Sequence, residues 1–213
     1  MKRKLIGLLI LMLGLLPAGA QNKNDAKKVL DVTAAAFKKQ GGIEATFKAD
    51  QFDHSNLKGS VSGTMHIQGR QFQLTTPDMI TWYNGETQWS YVKANEEVNV
   101  SVPTAEEQQN INPYAFLDIY KKGYNYSMKE TTLRGKHCYE VTLKAQRKNN
   151  NLRTLIIDIE KSTYAPLCIR MQQNNQTWVR ISVLSYTGNR HFKPEYFEFN
   201  HKDYPQAEII DLR

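Results

Sequence analysis

The chain has 213 residues, 40% of them hydrophobic and 10% aromatic, with 28 Lys and Arg against 21 Asp and Glu, for a formal charge of +7. That length holds one domain with a sizeable core. Lys2, Arg3 and Lys4 belong to an N-terminal segment of separate character, so the rest carries only about +4, a mild surplus that does not point to a nucleic-acid partner.

The three basic residues precede an apolar run from Leu5 to Leu16, broken by Gly7 and Gly14. Pro17 ends it, and Ala18, Gly19 and Ala20 follow as small residues. Charge, short apolar core and A-x-A site, in that order, are the marks of a secretory signal. The apolar run is about twelve residues, short of the roughly twenty that span a bilayer. Residues 1–20 are therefore expected to be a signal peptide cut after Ala20. Residues 21–213 then form a single exported, soluble domain and a monomer. Gln21 stands at the cut, so there is no Cys there to take a lipid tether.

Residues 25–40 read as a helix. Leu30, Ala34 and Phe37 recur at helical spacing, as do Val29, Val32 and Ala36, and Gly41-Gly42 ends the pattern. The period then changes to two. Ile43, Ala45, Phe47 and Ala49 alternate with polar residues, as do Val61, Gly63, Met65 and Ile67. Gly69-Arg70 is a turn, and Phe72-Gln73-Leu74 starts the next strand. Residues 79–92 are a hairpin, with Asn84-Gly85 expected as a two-residue type I′ turn because both positions need positive φ. A strand over 96–102 follows, closed by Pro103.

After a polar stretch, Asn112 caps and Pro113 starts a second, short helix in which Phe116, Leu117 and Tyr120 share a face. Strands are then expected over 124–130, 137–146, 152–159, 166–172, 177–186 and 196–200, with a tail to Arg213. About eleven strands and two helices in one antiparallel run predict a mainly β sandwich or barrel whose helices cover an open end. The basic cluster Lys144, Arg147, Lys148 and Arg153 around three Asn residues reads as a solvated hairpin tip rather than a docking patch. Cys138 and Cys168 fall on strands separated by a third. An oxidising compartment permits a disulfide, but the strand reading places them about 9–10 Å apart, which works against one and leaves the pairing open, and no CxxC or suitably spaced His makes a zinc site.

Catalytic arrangements are missing. The five histidines form no H-E-x-x-H or His-x-His pair, and there is no G-x-S-x-G elbow or P-loop. Glu96 and Glu97 would face opposite sides of a strand, and Glu106-Glu107 read as solvated. What remains is aromatic and aliphatic surface: Phe47, Phe72, Trp82, Trp89, Tyr91, Phe116, Tyr139 and Trp178. An ordinary core and an apolar ligand cavity both account for it.

Residues 72–91 combine an aromatic strand, a short link, a strand into Asn84-Gly85, and Trp89-Ser90-Tyr91, with the Glu97–Ser101 strand after them. The run resembles the signature of the LolA family, the periplasmic carriers of outer-membrane lipoproteins. The early helix, the strand over 45–51, the Gly-rich strand over 57–67, the Asn112-Pro113 helix, and Phe197-Glu198-Phe199 before a tail through Pro205 to Asp211 match the family in order and spacing.

The resemblance implies an unclosed antiparallel β-barrel with a helical lid over an apolar cavity that holds acyl chains. It implies acylated lipoproteins as cargo, an inner-membrane lipoprotein-releasing transporter as donor, and an outer-membrane acceptor. It implies no enzyme activity and no cofactor or metal. The cavity lining would come from Phe47, Met65, Ile67, Phe72 and Leu74 on the early strands. Trp82, Trp89, Tyr91, Val98 and Val100 would follow from the hairpin and the strand after it, Phe116 and Leu117 from the second helix, and Tyr139, Val141 and Leu143 from a late strand. In the family an early Arg holds the lid closed, and Arg70 is the nearest match. A lipoprotein-sensing regulatory module of the same fold and a lipid-processing enzyme are the other readings. Gln21 at the cut favours a mobile carrier over the lipid-tethered acceptor of similar fold.

Overall fold

The computed structural model describes residues 18–104, 107, 120–121, 123–147, 152–173 and 176–213. One helix, α1 (Ala18–Lys39), precedes a sheet of twelve strands. The first half of the sheet is β1 (Gly42–Asp53), β2 (Asn56–Gln68), β3 (Gln71–Thr75), β4 (Met79–Tyr83), β5 (Gln88–Val92) and β6 (Glu97–Ser101). The second half is β7 (Tyr124–Leu133), β8 (Lys136–Ala145), β9 (Leu152–Glu160), β10 (Pro166–Gln173) and β11 (Thr177–Arg190), and β12 (Glu208–Asp211) ends the chain. The spatial order is β12-β6-β5-β4-β3-β2-β1-β11-β10-β9-β8-β7. Each half is thus a meander. The long pairing of β1 with β11, from Gly42↔Arg190 to Asp53↔Thr177, joins them, and β12 and β7 are left as the two edges of an unclosed barrel.

The helix forms because Ala26, Val29, Leu30, Thr33 and Ala34 make one buried stripe at spacings of three and four. It begins at Ala18, earlier than the expected residue 25, and so runs through the expected cleavage position. Among the described residues, no helix is long and apolar enough to cross a membrane. The second expected helix lies in residues 108–119, outside those described.

Three local expectations change. The β4–β5 turn is centred one residue later than expected. Gly85 takes φ +105° while the Asn84 side-chain oxygen accepts from the backbone N–H groups of Glu86 and Thr87. Gly at the first central position with only that residue at positive φ is a different turn from type I′. Residues 196–200 form no strand. Pro194–Phe197 and His201–Asp203 are 3₁₀ turns, because this segment crosses the sheet as a cover rather than joining it. The tail instead supplies β12, which pairs parallel with β6, so the sheet is not wholly antiparallel. Cys138 on β8 and Cys168 on β10 flank β9 and are both buried free thiols, as the strand separation requires. The β8–β9 hairpin forms with its tip, residues 148–151, outside those described.

Candidate functional site: the inner face of the sheet

Strand register sorts every side chain onto one of two faces. Across the first half, Ile43↔Ile67, Ala45↔Met65, Met65↔Leu74, Ile67↔Phe72 and Phe72↔Tyr83 carry one face from strand to strand. Across the second half the same face runs through Ala49↔Ile181, Ile169↔Ile181, Ile157↔Ile169 and Val141↔Ile157. Helix α1 packs on this face, and its Ala26, Val29, Leu30 and Ala34 share one buried cluster with the strand residues. Burial of this apolar surface is the main stabilising contribution to the fold, at roughly 25 cal/mol per Å² removed from water.

Cover over the inner face is uneven. Met65, Ile67, Phe72, Val141, Leu143, Leu155, Ile157 and Ile159 are at most 1% exposed. Phe47, Ala49, Leu74, Met128, Tyr139, Met171 and Val179 are only partly buried against them. Val61, opposite Ala49 on this face, is 36% exposed. An apolar strip therefore continues on the inner face beyond the sealed core. Gly63 shapes it: a Cβ there would meet the Thr75 carbonyl and lie 2.8 Å from Phe47 Cζ. Only glycine lets the Phe47 ring lie across β2.

Polar groups tie the chain that enters β7 to the helix. The Tyr120 hydroxyl donates to Asp31 Oδ1 on α1 at 2.6 Å, and Lys27 Nζ donates to Asp31 Oδ2 at 2.7 Å. Those two hydrogen bonds, Lys27 foremost, hold the Asp31 carboxyl below its ordinary range. The Tyr126 hydroxyl donates to the Tyr120 carbonyl, and burial raises its pKa.

Eight of the sequence-predicted lining residues come together on this face: Phe47, Met65, Ile67, Phe72, Leu74, Tyr139, Val141 and Leu143. Five do not. Trp82, Trp89, Tyr91, Val98 and Val100 alternate onto the opposite face. There Val98, Val100 and Ala207 form a second core with Trp89, Tyr91, Phe199 and Tyr204, and the Trp82 ring lies 5.7 Å from Phe199 and 5.6 Å from Tyr204. Register explains the correction: Tyr83 opposite Phe72 faces inward, so Trp82 must face out. Phe116 and Leu117 lie outside the described residues.

Arg70 sits exposed on the β2–β3 turn and, among the described residues, makes no hydrogen bond; the described tie to the helix is Tyr120–Asp31. The residues missed were aliphatic: Leu155, Ile157, Ile159, Ile169 and Ile181. Their alternation within β9 to β11 is the signal in the sequence that marks them.

Among the described residues no group of His, Cys, Asp and Glu could hold a metal ion.

Residues 16–175 match the family model described as outer membrane lipoprotein carrier protein LolA. A comparison with curated proteins gives no match. Among solved structures, an uncharacterised conserved protein from Thermus thermophilus is similar with TM-score 0.59 and 10% identity, covering 88% of this chain and 99% of that one. A DUF1329 family protein from Desulfovibrio piger is similar with TM-score 0.50 and 12% identity, covering 86% and 99%. A LolA superfamily protein from Nitrosomonas europaea gives TM-score 0.44 and 7% identity, covering 82% and 97%. The family match spans well over half of the chain and agrees with an unclosed sheet carrying a helix on its apolar inner face, so this chain belongs to the LolA family of outer membrane lipoprotein carrier proteins.

Proposed function

We propose that this protein is a soluble periplasmic carrier that holds the acyl chains of lipoproteins on the inner face of its sheet and takes them from the inner to the outer membrane. The reading assigns it no bond-making step and no cofactor. Its donor would be an inner-membrane lipoprotein-releasing transporter, and its delivery point an outer-membrane acceptor. The observation that carries the reading is the apolar strip of Phe47, Ala49, Val61, Met171 and Val179, which continues from the sealed core without full cover in a member of this family.

The energetics supply the need. Each buried methylene is worth about 0.8 kcal/mol, so a lipoprotein with two or three long chains would lose tens of kcal/mol, roughly, by crossing water bare. A strip with no directional contacts suits cargo that must also be released. The tie between Tyr120 and Asp31 suits a cover held by a few hydrogen bonds, which opens at modest cost.

The test uses delipidated protein and a fluorescent long-chain fatty acid. Saturable binding is expected, with Val61→Asp weakening it at least about tenfold, because a carboxylate on the strip must be desolvated under the chain. Pull-down should retain acylated lipoprotein and leave the unacylated form in solution. Absence of saturable binding, or equal retention of both lipoprotein forms, would refute the carrier reading.

A further inference from the structure

The opposite face of the second half has a feature the carrier reading does not use. Alternation turns Ser127, Thr142, Ile156 and Arg170 outward in one cross-strand row, and Lys144, Thr154, Gln172 and Trp178 outward in the next. Over these rows lies an open cleft of about 630 Å³, walled on one side by Lys129 and Glu140. A volume of that size suits a small ligand.

The cleft is rich in uncommitted donors. The Thr154 hydroxyl donates to Gln172 Oε1 at 3.0 Å, which leaves the Gln172 amide N–H groups free. Among the described residues, Ser127, Thr142 and Lys144 make no side-chain hydrogen bond. Arg170, in the first row, keeps its Nε buried and without a partner. Its Nη2 is spent on Glu140 at 2.9 Å and Asp158 at 3.2 Å. Lys129 is likewise spent on Glu140 at 3.0 Å.

That inventory selects the ligand. A phosphate or other multiply charged anion needs several free cations, and among the described residues of the cleft only Lys144 is uncommitted. A strongly apolar ligand would strand the hydroxyls and the amide. One indole at the end of a row of hydroxyl and amide groups, with a single free ammonium, suits a molecule that offers an apolar ring face and a rim of hydroxyls. We propose that the outer face of β7 to β11 is a second binding site, for a short neutral or singly acidic saccharide, separate from the acyl-binding inner face. The separation is built in, since Val141, Leu143, Leu155 and Ile157 point inward from the same strands.

The experiment titrates the mature protein with maltotriose, tri-N-acetylglucosamine and sialyllactose, which carries a single carboxylate, with sodium phosphate as the anion control, and follows amide and indole NMR signals. At least one trisaccharide should move the Trp178 indole and the amides of Thr142, Thr154 and Gln172, leaving the Trp82 and Trp89 indoles in place. Trp178→Ala should raise its Kd at least about tenfold, Thr142→Val should raise it less, and saturating fatty acid should leave it unchanged. The proposal is overturned if none of the three sugars moves these signals at millimolar concentration, if Trp178→Ala or Thr142→Val binds as the parent does, if fatty acid competes, or if phosphate alone produces the shifts.

Discussion

The outer faces of the two halves solve the same problem in opposite ways. Over β4 to β6 the outer residues are aromatic and aliphatic, over β2 and β3 they are Ser, Thr, His and Gln, and the C-terminal segment lies across both. Phe192 and Tyr196 pack edge-on to His66, Phe199 and Tyr204 pack on Trp82, and β12 closes against β6. Over β7 to β11 and β1 no such segment lies among the described residues, and the outer row is charged. Lys129, Glu140, Asp158 and Arg170 form one network, and Arg180, Asp50, Lys48 and Ser60 another. Alternation fixes which residues face out, and their chemistry decides whether chain or charge partners cover them.

If chain cover carries the first half, removing an outer aromatic there should cost most. Trp82, 4% exposed, sits between two rings of the C-terminal segment. Trp82→Ala should lower unfolding free energy by about 3–5 kcal/mol in urea denaturation. A loss below about 1 kcal/mol would mean the segment is only draped over the sheet.

Charge cover should be broken next by Arg170→Met. Burial pushes the Asp158 carboxyl up, and Arg170 opposes this. Without the guanidinium, Asp158 and Glu140 would be left facing each other across β8 and β9. Because Arg170 is itself 32% exposed, about 2 kcal/mol is expected rather than the full cost of a buried unpaired charge. The pKa of Asp158 would rise further, so the deficit should be larger at pH 8 than at pH 5, where protonation relieves it.

Asp50 gives a smaller effect that also fades toward low pH, here because the parent loses stability rather than because the variant is relieved. The Arg180 guanidinium, at 2.8 Å, and then the Ser60 hydroxyl hold its carboxyl at about 2, below its ordinary 3.8. A depressed folded-state pKa stabilises above the unfolded value and loses that contribution as pH falls through the folded one. Asp50→Asn should therefore cost about 1–2 kcal/mol at neutral pH, and parent and variant should converge between about pH 4 and pH 2 in thermal unfolding.

Deleting residues 208–213 should have the least effect, about 1 kcal/mol or less, because β12 is short and Ile209 and Leu212 are 51% and 63% exposed. Hydrogen exchange should rise in β6 and stay unchanged in β3. Spread of the effect to Trp82 would merge β12 and the aromatic cover into one unit.

Legibility in the sequence followed the range of the forces involved. The hairpins of β1–β2, β8–β9 and β10–β11 were readable because period-two alternation and turn residues act within a few positions. Residues 196–200 differ because Phe197-Glu198-Phe199 alternates as a strand does, yet Phe199 packs on Trp82, distant in the chain, which local pattern does not encode, while Phe197 packs on Phe192 within its own segment. The site was half legible for a related reason. Met65, Ile67, Phe72 and Val141 face inward as the sequence implies, but Trp82, Trp89, Tyr91, Val98 and Val100 face out. A one-residue offset in pairing decides the face of a whole strand.

By itself the sequence determined a mainly β chain with an amphipathic first helix and membership of a carrier family, since patterning, spacing and motif order are properties of the chain. Only the tertiary structure decided that β1 pairs with β11, that the tail returns as a parallel strand beside β6, and that one face holds the apolar strip while the other divides into aromatic and charged halves. These depend on contacts between residues more than a hundred positions apart. There, burial of surface outweighs local preference, and no short window of sequence records the partner.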